Sequence, residues 1–212
     1  MGCGAGDFLH NMRALNVGQL QGIDFSEDMI QRLQEQGIDG FCGTFGDFQG
    51  KAGSYQLISM NNYLEHTLDP VSELEKALEL LSPGSHLVGE VPGYGSWEQT
   101  LFGRYWGGNH IPRHTYQYTP QRLQALLQET GYSEVRISHQ LNTSHWALSV
   151  QNFMQRKVSD LRNNPAIDHG RGRFYVPLLL LFIPVNLLCV LARKSGCIKF
   201  SARKPGRDSL DG

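Results

Sequence analysis

The sequence predicts an α/β fold, a doubly wound sheet of mostly parallel strands flanked by helices, and three observations carry that reading. Strand-like apolar runs alternate with helical runs from Val17 to Ser138, the rhythm produced by parallel strands with crossover helices. A glycine turn, Gly2-Cys-Gly-Ala-Gly6, opens directly onto a helical run. The next strand-like run closes on Asp24, eighteen positions after Gly6, near the ~20 at which a carboxylate reaches ribose hydroxyls in a mononucleotide-binding unit.

Each element has a local reason. Glycines let the backbone approach a ligand, and the helix N-terminus after them presents free N–H groups. Gly2, Gly4 and Gly6 are spaced G-x-G-x-G rather than the dinucleotide-binding G-x-G-x-x-G. Asp7 in the first helical turn repels an anion, but not a cationic or zwitterionic ligand. Phe8 to Leu15 reads as a helix and Val17 to Asp24 as a strand. Ser26 is placed to cap a helix whose Met29, Ile30 and Leu33 share a face and which Gly37 stops. Gly40 to Phe45 reads as a strand entering a loop, and Tyr55 to Met60 as a buried strand ending at Asn61 and Asn62.

Asp69-Pro70 then starts a helix with Leu74, Ala77, Leu78 and Leu81 inward. Pro83-Gly84 is expected to turn the chain into a strand from His86 to Pro92. Thr119-Pro120 starts another helix, with Leu123, Leu126 and Leu127 inward and Gly131 at its end. Tyr132 to Ser138 and Cys197 to Ala202 complete the strands. A glycine turn of this kind should follow an apolar strand, yet Met1 stands directly before it. The first strand is therefore expected to be missing, so that either the chain is a fragment or the sheet closes another way.

The totals exclude some classes. A chain of 212 residues can bury one substantial core, and its net charge of −1 provides no basic field for nucleic acid. Four cysteines (Cys3, Cys42, Cys189, Cys197) form no C-x-x-C pair, which fits a reducing, cytoplasmic setting. The expected organisation is a core over 1–143, a helical connector and hydrophobic hairpin over 144–195, the last strand over 196–204 and a disordered tail over 205–212.

Residues 93–118 break the rhythm with glycine, aromatic and histidine residues. Following the C-terminal end of a strand, where open α/β sheets place ligands, they read as a lid or substrate pocket, or as an Ω-loop packed on its own aromatics.

Taken together, these residues resemble a class I S-adenosylmethionine-dependent methyltransferase of the small, stand-alone domain type. The resemblance rests on Gly2-Cys-Gly-Ala-Gly6, Gly22-Ile-Asp-Phe-Ser26, Tyr55-Gln-Leu-Ile-Ser-Met60, Tyr63-Leu-Glu-His-Thr-Leu-Asp-Pro70 and Leu80-Leu-Ser-Pro-Gly84. Phe102-Gly-Arg-Tyr-Trp106, Pro112-Arg-His114 and Tyr118-Thr-Pro120 extend it. It implies a seven-stranded Rossmann-like sheet with an antiparallel last strand and S-adenosylmethionine as cofactor. Gly2, Cys3, Gly4 and Gly6 would line the methionine part, Asp24 would hold the ribose, and Phe25 would lie beside the adenine. Thr44 and Phe45 would flank the base, with Asn61 or Asn62 under the sulfonium. The acidic residue such proteins carry just before the first glycine has no counterpart here.

Methyl transfer is an in-line displacement from an already activated donor, so a base is needed only where the nucleophile must lose a proton. His66, His110 and His114 are candidates for that proton, each on a segment following a strand. His66 also has a plain structural reading at a helix start, and His114 beside Arg113 can instead orient a hydroxyl-bearing or anionic acceptor. Tyr94, Trp106, His110, Arg113 and Tyr116 are the candidate substrate residues. Glu65 with His66 is too small a set to imply a metal, and none is expected.

From Phe174 to Ala192 no residue is charged, which reaches the ~18 apolar residues of a spanning candidate. Pro177, Pro184 and Asn186 interrupt it, and cations on both sides give it no orientation. The expectation is a helix or hairpin in a membrane interface or over the substrate, ahead of buried core and of a true span. Peripheral membrane contact through 174–192 would make the acceptor lipid-linked or apolar; otherwise it is a small molecule. The competing reading is a catalytically inactive methyltransferase-like domain acting as an interaction or membrane-docking module.

Overall fold

The computed structural model describes residues 1–154 and 174–206, so the expectations for 155–173 and 207–212 lie outside the described residues. The chain divides into two compact units: Met1–Gly89 with Leu126–Val135 and Ser201–Gly212, and Glu90–Ala125 with Arg136–Phe200. Six strands form two sheets among the described residues, in the orders β1-β2 and β3-β4-β6-β5. The strands are β1 Gln21–Asp24, β2 Asp39–Cys42, β3 Tyr55–Asn61, β4 Leu81–Pro92, β5 Ser133–His139 and β6 Cys197–Arg203.

In the first unit, helix α1 Asp7–Ala14 follows the glycine turn and buries none of its residues fully. Strands β1 and β2 pair in parallel, Asp24 opposite Cys42, with α2 Glu27–Glu35 between them and its Ile30 and Leu33 buried. Ser26 occupies the N-cap position of α2, but its side chain makes no capping bond. Asp24 takes the Ser26 amide through its own carboxylate instead, at 3.0 Å. Helix α3 Pro70–Leu80 starts as expected, Asp69 accepting the Ser72 amide, and buries Leu74, Ala77 and Leu80.

The turn expected at Pro83-Gly84 is not made. Strand β4 begins at Leu81, and Gly84, at φ 81°, stays in the ladder by donating its N–H to the Lys204 carbonyl at 3.0 Å. Glycine tolerates the positive φ, so the strand absorbs the irregularity without leaving the sheet.

No strand lies between β1 and β3 among the described residues. The first residues of the chain bond to both instead: the Cys3 amide to the Ile23 carbonyl at 3.0 Å, and the Met1 amino group to the Ser59 carbonyl at 3.0 Å. Leu57 of β3 stands 44% exposed, as expected of a strand residue without a full neighbour.

In the second unit, β6 runs antiparallel to its neighbours, with Gly93 donating to the Gly196 carbonyl and Gln140 to that of Cys197. Here α4 Trp97–Phe102, α6 Ser144–Met154, α7 Tyr175–Leu181 and α8 Ile183–Leu191 pack around Trp146, whose ring meets Phe102 at 5.9 Å and Phe182 at 5.0 Å. The described part of the expected helical connector is a packed helix, with Trp146, Ala147 and Ser149 facing inward. Helix α5, Pro120–Glu129, buries Leu123, Leu126 and Leu127.

Pro177 and Pro184 each sit in the first turn of a helix, where the missing N–H is unneeded, and they divide the apolar stretch into two. No helix among the described residues is long and apolar enough to cross a membrane.

Candidate functional site

The glycine turn of the first unit is shaped by its backbone. Gly2, Gly4 and Gly6 all have positive φ (56°, 50° and 88°), the left-handed region that side chains disfavour. Their surroundings differ. A Cβ on Gly6 would lie 2.5 Å from a Leu33 methyl, and one on Gly2 would lie 3.1 Å from the Tyr63 ring. Nothing stands within 4 Å of the corresponding position on Gly4. Gly2 and Gly6 are glycines because protein is behind them, whereas Gly4 borders open space.

Asp24 ties this turn to the end of β1. One carboxylate oxygen accepts the Gly4 amide at 2.8 Å, the other the Ser26 amide at 3.0 Å, and the residue is only 8% exposed. An ionised carboxylate has about four acceptor positions, so two amides leave capacity for the hydroxyls of a ribose. Phe25 follows at once with its ring 84% exposed. The Gly43 amide donates to the Asp24 carbonyl at 2.9 Å, bringing the end of β2 alongside.

The other cofactor candidates separate on inspection. Phe45 is 2% exposed, stacked on Phe48 at 6.5 Å and topped by the Lys76 ammonium at 5.4 Å, so its ring is core and cannot lie against a base. The Thr44 hydroxyl donates to Asp47 at 2.6 Å, closing its own turn. The Cys3 thiol faces Gly22, where an added Cβ would lie 2.7 Å away, and burial raises its pKa. Asn61 ends β3, and Asn62, exposed at φ 47°, turns the chain into the 3-10 turn Leu64–His66, with His66 exposed.

One supporting residue was missed. Tyr63 backs the turn at Gly2, and its hydroxyl donates to Glu73 at 3.0 Å. Burial, with the Glu73 charge second, keeps that hydroxyl protonated far above neutral pH. The sequence signal was its place at the head of the stretch Tyr63-Leu-Glu-His-Thr-Leu-Asp-Pro70, to which no role for the tyrosine was attached.

In the second unit, residues 93–118 divide between core and surface. Trp106 is 1% exposed, in edge contact with Tyr94 at 6.3 Å and His145 at 5.7 Å, so it supports the segment rather than facing a substrate. Tyr94 and Tyr116 are partly exposed, Tyr116 stacking on Tyr118 at 6.3 Å. His110 and His114 meet edge to face at 5.0 Å, and Arg113 between them is exposed. His114 Nδ1 lies 2.8 Å from the Gly108 carbonyl. A carbonyl only accepts, so Nδ1 carries the hydrogen and the lone pair of the neutral ring is on Nε2.

The same unit holds a buried polar cluster that sequence reasoning did not reach. Glu98 of α4 is fully buried, and its carboxyl oxygens have no partner of normal hydrogen-bond geometry among the described residues. Burial pushes its pKa up to about 8, and the approach of the Gly196 amide offsets only part of that. His145 donates from Nδ1 to the Gly196 carbonyl at 2.9 Å, and burial lowers its pKa to about 4. Both side chains therefore converge on one glycine of the loop before β6. The Cys197 thiol, pushed up to about 12 by burial, is unreactive at neutral pH.

Comparison with known proteins bears on the whole chain. A family model described as a methyltransferase domain matches residues 1–137. No curated protein matches the sequence. Among solved structures, an S-adenosylmethionine-dependent methyltransferase from Thermotoga maritima aligns with a TM-score of 0.62 at 16% identity, over 96% of this chain and 79% of that one. Another from Archaeoglobus fulgidus gives 0.62 at 18%, over 96% and 83%. The phosphoethanolamine N-methyltransferase 2 of Haemonchus contortus, bound to phosphomonomethylethanolamine and S-adenosylhomocysteine, gives 0.60 at 16%, over 96% of this chain and 47% of its own.

Proposed function

Because the chain belongs to the methyltransferase-domain family, with S-adenosylmethionine as its methyl donor, we propose that it methylates a small acceptor carried on a lipid. The observation that supports a cofactor site in this chain is the pairing of Asp24 with the open side of Gly4: an acceptor carboxylate fixed on the amide of a turn that nothing crowds. S-adenosylmethionine brings a methyl group already activated on a sulfonium, so the protein need supply only position and a dry setting.

Asp24 would bind the ribose hydroxyls and Phe25 would cover the adenine, while the Gly2–Gly6 backbone and Asn61 or Asn62 would line the methionine end. Tyr94, His110, Arg113 and Tyr116 would orient the acceptor. His114, with its lone pair on Nε2, or His66 would take a proton from a hydroxyl acceptor. The lipid carrier is inferred from the exposed apolar helices α7 and α8.

The test is transfer of labelled methyl from S-adenosylmethionine into a total membrane extract. Label entering the organic phase, and lost with Asp24→Ala, supports the proposal. Label confined to water-soluble products overturns the lipid carrier, and no label overturns the activity.

A further inference from the structure

The helices α7 and α8 are turned the wrong way for water. Every exposed residue from Phe174 to Leu191 is apolar. Their inward side is packed: Phe182 stacks on Trp146, Asn186 Oδ1 accepts the Asn142 amide at 2.9 Å, and Cys189 is buried. A surface helix of a globular protein has its polar residues outward, and this pair has none there. We propose that α7 and α8 lay this chain on the surface of an anionic lipid bilayer, their outer face buried at the acyl boundary.

Three further observations select that partner. With seven and nine residues, the helices are about 10 and 14 Å long, too short for the ~30 Å hydrocarbon core, so they lie in the interface rather than cross it. The charge is one-sided: positions 174–200 contain Arg193, Lys194 and Lys199 and no aspartate or glutamate, in a chain of net charge −1. Pairing two copies through this face would bring two such cationic segments together, whereas an anionic headgroup layer attracts them.

The third observation is an interfacial anchor. Arg193 and Lys194 are exposed directly after α8. The Trp97 amide donates to the Lys194 carbonyl at 3.1 Å, and the Trp97 side chain is half-exposed, which places an indole at the cationic end of the apolar face. Tryptophan with lysine and arginine is the chemistry of the water–lipid boundary.

Co-sedimentation of the full chain with vesicles tests this without reference to catalysis. Vesicles of phosphatidylcholine with one third phosphatidylglycerol should bind it at least about tenfold more tightly than phosphatidylcholine alone, with the difference shrinking in salt. Leu180→Asp with Leu188→Asp should abolish binding while leaving thermal unfolding and cofactor binding unchanged. Arg193→Glu with Lys194→Glu should weaken it by about tenfold or more. The proposal is overturned by no binding to either vesicle, by binding indifferent to the leucine changes, or by a dimer in light scattering that those changes dissociate. Cofactor binding, measured on the same samples, fails or succeeds independently.

Discussion

The two units treat a buried carboxylate in opposite ways. Asp24 meets two backbone amides at 2.8 and 3.0 Å beside an open turn. Glu98 is fully buried with no partner of normal geometry among the described residues, so it is held neutral. One carboxylate is arranged to receive a ligand, and the other makes stability depend on protons. A buried charge becomes useful at a site only where the backbone has already solvated it.

The largest effect should come from disturbing the neutral carboxyl. A Cβ at Gly196 would fall 1.7 Å from a Glu98 oxygen, so Gly196→Ala should lower unfolding stability by about 3 kcal/mol or more in urea titration. Proton linkage gives the subtler test. Folded Glu98 keeps a proton that the unfolded chain releases above about 4.5, so its share of stability falls as pH rises from there to about 8. His145 acts oppositely: the unfolded chain gains a proton below about 6.5 that the folded ring refuses until about 4. The two slopes oppose one another between about 4.5 and 6.5; above that the Glu98 contribution falls by up to about 1.4 kcal/mol per pH unit, opposed by the Met1 amino group, whose pKa burial lowers from 8.0. Glu98→Gln should remove the alkaline fall and leave the acid one; an unchanged profile would show that Glu98 is not its source.

The glycine turn gives a mid-sized contrast. Gly6→Ala combines a left-handed φ with a Leu33 clash and should cost about 2–4 kcal/mol in the same titration. Gly4→Ala carries only the backbone cost, about 1–2 kcal/mol, yet should weaken cofactor binding well beyond its loss of stability. Equal losses of binding per unit of stability would make Gly4 merely structural. The smallest effect on folding is expected of Phe25→Ala: stability within about 0.5 kcal/mol, but cofactor affinity down about fivefold or more as a base loses its stacking surface.

This contrast also explains what the sequence made legible. The α/β rhythm, the parallel β1-β2 pair and the Asp69-Pro70 helix start follow from local pattern and turn chemistry, whereas the antiparallel last strand was implied only by the family resemblance. The place of Asp24 was readable because a glycine turn and a strand end define it by spacing alone. Phe45 and Trp106 were not, since an aromatic on a loop has the same letter whether its ring faces a ligand or the core. Ser26 takes the cap position the sequence predicts, but its hydroxyl makes no capping bond, a difference that the letter alone does not carry. Glu98 was invisible because only the return of Gly196, ninety-eight positions later, encloses it.

The central claim is that Asp24 and the open side of Gly4 make a cofactor site, and titration calorimetry with S-adenosylhomocysteine tests it most directly. The native chain should bind saturably, and Asp24→Ala, which removes the carboxylate that would hold the ribose, should weaken binding about a hundredfold or more. No binding by the native chain at millimolar ligand, or equal binding by both, would contradict it.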